Sequence, residues 1–113
     1  MPTQAELTNA RLRLVNQALF LLDRIIAGNP APSDRRDLDQ SILDLTKAQT
    51  KLEGLLEAQR RTPNVTPPDP ALFDETQRLT SEVEAAIRST TTARDAIVVS
   101  TRILTAVEGT RLA

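Results

Sequence analysis

Cysteine, histidine, tryptophan and tyrosine are absent from this 113-residue chain, and Phe20 and Phe73 are its only aromatic side chains. Without cysteine there is no disulfide framework, thiol nucleophile or thiolate metal ligand. Without histidine the chain lacks the side chain that ordinarily titrates near neutrality, which is also the commonest metal ligand. The scarcity of aromatics removes the platforms on which bases and sugars stack. Lysine is nearly missing too: Lys47 and Lys51 stand against twelve arginines. Neither sign of charge predominates, since 14 basic and 15 acidic residues leave a net charge of −1. Such a balance generates no field that would gather nucleic acid or anionic lipid. Long apolar runs are also absent. The longest, Ala18–Leu22 and Ile25–Ala27, are interrupted by Asp23 and Arg24, whereas a membrane span needs roughly 20 mostly apolar residues. The stretch Met1–Glu6 has no charged region leading into an apolar core, so no signal peptide is expected. These absences lead to the expectation of a cytoplasmic chain with no transmembrane segment, no nucleic-acid partner and no metal or other cofactor. Arginine-over-lysine usage is a compositional hint of bacterial origin.

What is present is apolar periodicity. Ile, Leu, Val, Phe and Met total 31 residues and Ala adds 14, enough for one small core in a single domain over residues 1–113. Thr3 and Glu6 have the spacing of a capping box at the start of a helix predicted over 4–27. Two stripes run along it: Leu7, Leu14, Ala18, Leu21 and Ile25, and beside them Leu12, Val15, Leu19, Leu22 and Ile26. A helix with one neighbour needs one stripe, so this one is expected to touch two partners. Gly28 reads as a left-handed stop and Asn29-Pro30 as its block.

A second helix is predicted over 34–61, capped by Ser33 or Asp34 and ended by Thr62-Pro63. Its seam is Leu38, Ile42, Leu45, Gln49, Leu52, Leu56 and Gln59, in strict 4-3 alternation. Gly54 interrupts this helix and is read as a site of close backbone approach. The connection 63–70 carries four prolines and forms neither helix nor sheet. Pro70 then suits the first position of a third helix, predicted over 70–108 with Gly109 as its stop. Its seam runs Leu72, Thr76, Leu79, Val83, Ala86, Thr90, Ala93, Ile97, Ser100, Leu104 and Val107. The expected fold is therefore all-α: an antiparallel three-helix bundle or coiled coil with a long third helix.

That third helix would be about 60 Å long, some four turns beyond its partners. The excess segment carries Ile97, Val98, Val99, Ile103, Leu104 and Val107, an apolar surface too large to leave in water. Self-association as a dimer or higher homo-oligomer is expected there, with Arg102 reaching Asp95 or Glu108 of a second copy. The competing arrangement is a kink at Ser89–Thr92, where four hydroxyl residues in succession disfavour a straight helix; it folds the segment back onto the first helix and gives a monomer.

Carboxylates are the only abundant reactive groups. Asp37 and Asp44, and likewise Glu75 and Glu82, are one heptad apart and so about 10 Å apart on one helix face. Glycoside hydrolysis uses carboxylates at comparable spacing, but no aromatic accompanies these, and solvated acidic faces account for them. Di-iron bundles require Glu-x-x-His, which this chain cannot supply. No calcium loop, phosphate-binding glycine loop or zinc pattern occurs. The pairs Arg35-Arg36 and Arg60-Arg61 are offset by Asp34, Asp37 and Glu57, so salt bridges explain them better than phosphate binding. Gln49, Thr76, Thr90 and Ser100 on the seams are read as register-setting polar residues. The expectation is thus a non-enzymatic interaction module (adaptor, assembly chaperone or regulator) that contacts another protein as well as itself. The alternative is a peripheral protein laying amphipathic helices on lipid or polymer granules.

Overall fold

In a computed structural model, residues 3–61, 70–90 and 92–107 are described. They form four helices: α1 (Gln4–Ala27), α2 (Pro32–Arg61), α3 (Pro70–Ser89) and α4 (Ala93–Val107). The chain is all-helical over these residues, with no strand among them. The third element is not one long helix. It is divided between Ser89 and Ala93, so the described residues form four helices rather than the three expected.

The helix ends follow from local chemistry. The Glu6 N–H donates to Thr3 Oγ1 at 3.1 Å, which caps α1. At its other end Gly28 keeps an ordinary φ of −84°, and the left-handed residue is Asn29 at φ 57°. Asparagine tolerates that conformation because its short polar side chain bonds locally, so the stop sits one residue later than the glycine suggested. α2 begins at Pro32 rather than Asp34. Proline at the first helical position gives up no N–H that the helix needs, and the Arg35 N–H reaches Ala31 O at 2.8 Å. The proline-rich connection before Pro70 and the Gly109 stop lie outside the described residues.

The division of the third element is built from the hydroxyl run itself. The Thr90 N–H makes the last bond of α3, to Ala86 O at 2.7 Å. Two residues on, Thr92 Oγ1 accepts from the Asp95 N–H at 3.2 Å and caps α4. Arg24 of α1 donates from its guanidinium to Ile87 O and to Thr90 O, the latter at 3.0 Å, capping the free carbonyls at the end of α3. The sequence thus supplies a C-terminus, a turn and a new N-cap within a few residues.

Side-chain pairs give the directions. Thr8 bonds Gln59 and Asn16 bonds Gln49, so α1 and α2 are antiparallel. Gln17 bonds Glu84 while Arg24 caps the end of α3, so α1 and α3 are parallel. Arg94 pairs with both Asp34 and Asp37 at 2.9 Å, which sets α4 beside the start of α2 and parallel to it. α1 is the hub: it packs against the other three helices. α2 packs on α1 and α4, whereas α3 rests on α1, only marginally on α4, and not on α2.

The core explains this order. Leu7, Leu14, Ala18 and Leu21 of one α1 stripe and Val15 and Leu22 of the other are all buried. They meet Leu38, Leu45 and Leu52 of α2, Val83 of α3, and Ala96, Val99, Ile103 and Val107 of α4. Among the buried polar side chains, Gln59 is bonded at its oxygen only, and its buried Nε2 has no partner among the described residues. Gln59 accepts from Thr8 Oγ1 at 2.6 Å, and Ser100 donates to Ala96 O at 2.9 Å. Of the seam residues, Gln49 bonds Asn16 of α1, whereas Thr76 and Ser100 bond carbonyls one turn back in their own helices and Thr90 bonds through its backbone N–H.

Gly54 does not serve a close approach. It is exposed, and a Cβ placed there would meet nothing within 4 Å. Only its backbone entropy remains, and that weakens α2. Gly54→Ala is therefore expected to raise stability by about 0.5–1 kcal/mol in urea unfolding, with an unchanged m-value.

Candidate interaction surface

α4 is the most apolar element and carries every residue of the expected association surface. Its fold-back divides them. Ile103 is fully buried and Val99 and Val107 nearly so, all in the core of the chain's own bundle. Ile97 and Leu104 are half-buried against that core. Val98 alone faces solvent, 59% exposed. Arg102, expected to reach a second copy, instead pairs with Glu82 of α3 within the same chain. The apolar surface left outside is Val98, whose neighbours one turn away are Arg94, Asp95, Thr101 and Arg102, with Ile97 and Leu104 half-buried toward the core, in place of a continuous patch of six.

The periodicity contained this outcome. Ala96, Val99, Ile103 and Val107 are spaced 3-4-4, one helical face, while Val98 lies on the opposite side. What decides which face is buried is the reversal between α3 and α4, because it sets the direction from which α1 and α2 approach.

Two recesses flank α4. Between α2 and α4 runs a groove of about 390 Å³ floored by Ala48, Leu52, Leu104 and Val107. Both lysines, Lys47 and Lys51, stand on its α2 rim. Between α3 and α4 lies a cleft of about 260 Å³ lined by Arg11, Glu75, Arg78, Leu79, Glu82 and Arg102. Its charges oppose one another. Glu82 holds Arg102, while burial pushes the Arg11 guanidinium below its ordinary pKa and Glu75 acts in the opposite direction.

The paired carboxylates are taken up by neighbours. Asp37 binds Arg94, Asp44 accepts from Gln40 at 3.0 Å, and Glu82 binds Arg102. Among the described residues no group of three or more acidic, histidine or cysteine side chains is placed to hold a metal ion. Among them, too, no helix is long and apolar enough to cross a membrane. Phe20, Leu43 and Leu72 are exposed apolar side chains as well. An exposed apolar side chain is in itself ordinary.

Two features were missed by reading the sequence. Arg24 looked like a surface charge inside an apolar run, yet it caps α3; nothing local marks a side chain that acts across 63 residues. The lysine groove needs two helices in register, and only the spacing of Lys47 and Lys51 hinted at a shared face. Comparison with family models, with curated proteins and with solved structures finds no match to this chain.

The division of α4 into inner and outer faces gives a direct contrast. Ile103→Ala is expected to cost about 2–4 kcal/mol through lost burial and an added cavity. Val98→Ala is expected to cost less than about 0.5 kcal/mol. Urea denaturation of the two variants side by side checks it.

Proposed function

We propose that the protein is a non-enzymatic helical interaction module, an adaptor, assembly chaperone or regulator, that self-associates through the outer face of α4. The observation that carries this reading is the exposure of Val98 together with the incomplete burial of Ile97 and Leu104 on the same helix. Opposed charge in the α3–α4 cleft and the engagement of each carboxylate pair by neighbouring side chains favour a binding surface over a reaction centre.

The fold-back also sets the strength. Six aliphatic side chains buried at once would give on the order of 10 kcal/mol per chain, whereas one exposed and two half-buried residues give about 3 kcal/mol. After association entropy is subtracted, this describes a weak, reversible contact rather than an obligate dimer. A twofold arrangement suits it, because the same face then satisfies itself.

Sedimentation of the unmodified chain, taken up to the millimolar concentrations that so weak a contact requires, is expected to show a species of at least twice 12.4 kDa. Val98→Asp is expected to return it to the monomer with helicity intact. A single 12.4 kDa species from the unmodified chain would overturn the proposal.

A further inference from the structure

The α2–α4 groove, which shares Leu104 with the outer face of α4, has two unlike walls. On the α2 wall stand Lys47 and Lys51, the only lysines among fourteen basic residues. They are one helical turn apart, both exposed, and neither forms an ion pair or hydrogen bond among the described residues. Five arginines behave otherwise: Arg24, Arg35, Arg61, Arg94 and Arg102 each hold a carbonyl or carboxylate. Asp44, the nearest carboxylate at the end of the groove, accepts from Gln40 rather than from Lys47.

The α4 wall is mostly apolar although two of its residues are threonines. Thr101 donates its hydroxyl to Ile97 O at 2.9 Å, and Thr105 to Thr101 O at 3.0 Å. With their donor hydrogens turned back onto the helix, these hydroxyls keep only acceptor capacity, and Leu104 is the apolar side chain of this wall. Its floor, Ala48 and Leu52 with Val107, is apolar as well. One long side therefore carries the two lysines, with Asp44 at its end, and the floor and the opposite wall are mostly apolar.

We infer that this groove docks an amphipathic helix of another protein, one with an aliphatic stripe and two carboxylates a turn apart along one edge of that stripe. The shape fits such an occupant: α2 and α4 run parallel along it, and a third helix laid between them seats an i, i+3/i+4, i+7 stripe on the floor. The charge fits it too. Glutamates at i and i+4 on a helix lying alongside α2 repeat at the same rise as Lys47 and Lys51. Lysine, a flexible point charge whose stem covers apolar surface, suits a rim that closes over a partner. A lipid surface is disfavoured because the cationic strip is one turn long on a chain with net charge −1.

The test uses the full chain and two synthetic helical peptides of about 18 residues, long enough to hold helical structure. Both carry the same leucine stripe, one with a glutamate pair at i and i+4 beside it and the other with a lysine pair there. By fluorescence anisotropy at about 50 mM salt, where screening is limited, the glutamate peptide is expected to bind about tenfold tighter than the lysine peptide. The double variant Lys47→Glu, Lys51→Glu, at exposed positions and with unchanged circular dichroism, is expected to reverse that preference. Val98→Asp is expected to keep the wild-type preference while losing self-association, which separates this site from the Val98 face. Binding of neither peptide, equal binding of both, or a preference unmoved in the double variant would overturn the inference. Lysine-dependent flotation of the unmodified chain with phosphatidylserine vesicles would overturn it in favour of a membrane surface.

Discussion

The reversal between the end of α3, held by Arg24 at Thr90, and the Thr92 cap of α4 is the constraint on which the rest of this bundle depends. A helix continued through it would carry α4 away from α1 and α2, and the second stripe of α1 would lose its cover. Turning back instead brings Ala96, Val99, Ile103 and Val107 into the core. The turn is stable because its ends are satisfied. Thr92 caps the new helix, and the carbonyls left by the old one are taken by a guanidinium from the neighbouring helix. A hydroxyl run of low helix propensity and one long cationic side chain, set 66 residues apart, together determine the topology.

The same device leaves the helices unequally partnered. α1 is buried on two faces, α2 and α4 cover each other and α1, and α3 is held mainly along one side. The links of α3 are correspondingly polar: Gln17 to Glu84, Arg24 to its last carbonyls, and Glu82 to Arg102. Thr76 and Val83 are its only buried residues. Stability within a fold is rarely uniform, and elements with few buried apolar contacts open first. In this bundle that element is α3, while the surfaces proposed for binding lie on α4 and α2.

Much of this was legible in the residues. The spans of α1 and α2, the paired stripes of α1 and the seam of α2 follow from 3-4 spacing, because an amphipathic helix in water must bury its stripe somewhere. Less was legible where two local readings competed. The seam of the third element continues in register across Thr90–Thr92, so heptad spacing alone favoured a single helix, and only the poor helix propensity of the hydroxyls argued for a break. Gly28 and Gly54 misled for a related reason. Glycine permits unusual backbone or close approach, but permission is not use: Asn29 took the left-handed position, and Gly54 faces open space. For the association surface, the six apolar residues of α4 were visible, but not which of them its own chain would bury. That depended on Arg24, whose role no spacing in the sequence expresses.

The central claim is that α4 folds back beside α3 instead of extending it. The chain has no cysteine, so Asp74→Cys and Thr105→Cys, both at exposed positions, give a clean spin-label pair for a pulsed dipolar distance measurement. In the folded-back arrangement these positions lie toward the same end of adjacent antiparallel helices, and a distance under about 25 Å is expected. In a continuous helix 31 residues separate them by about 47 Å. A distribution centred near that longer value would contradict the account.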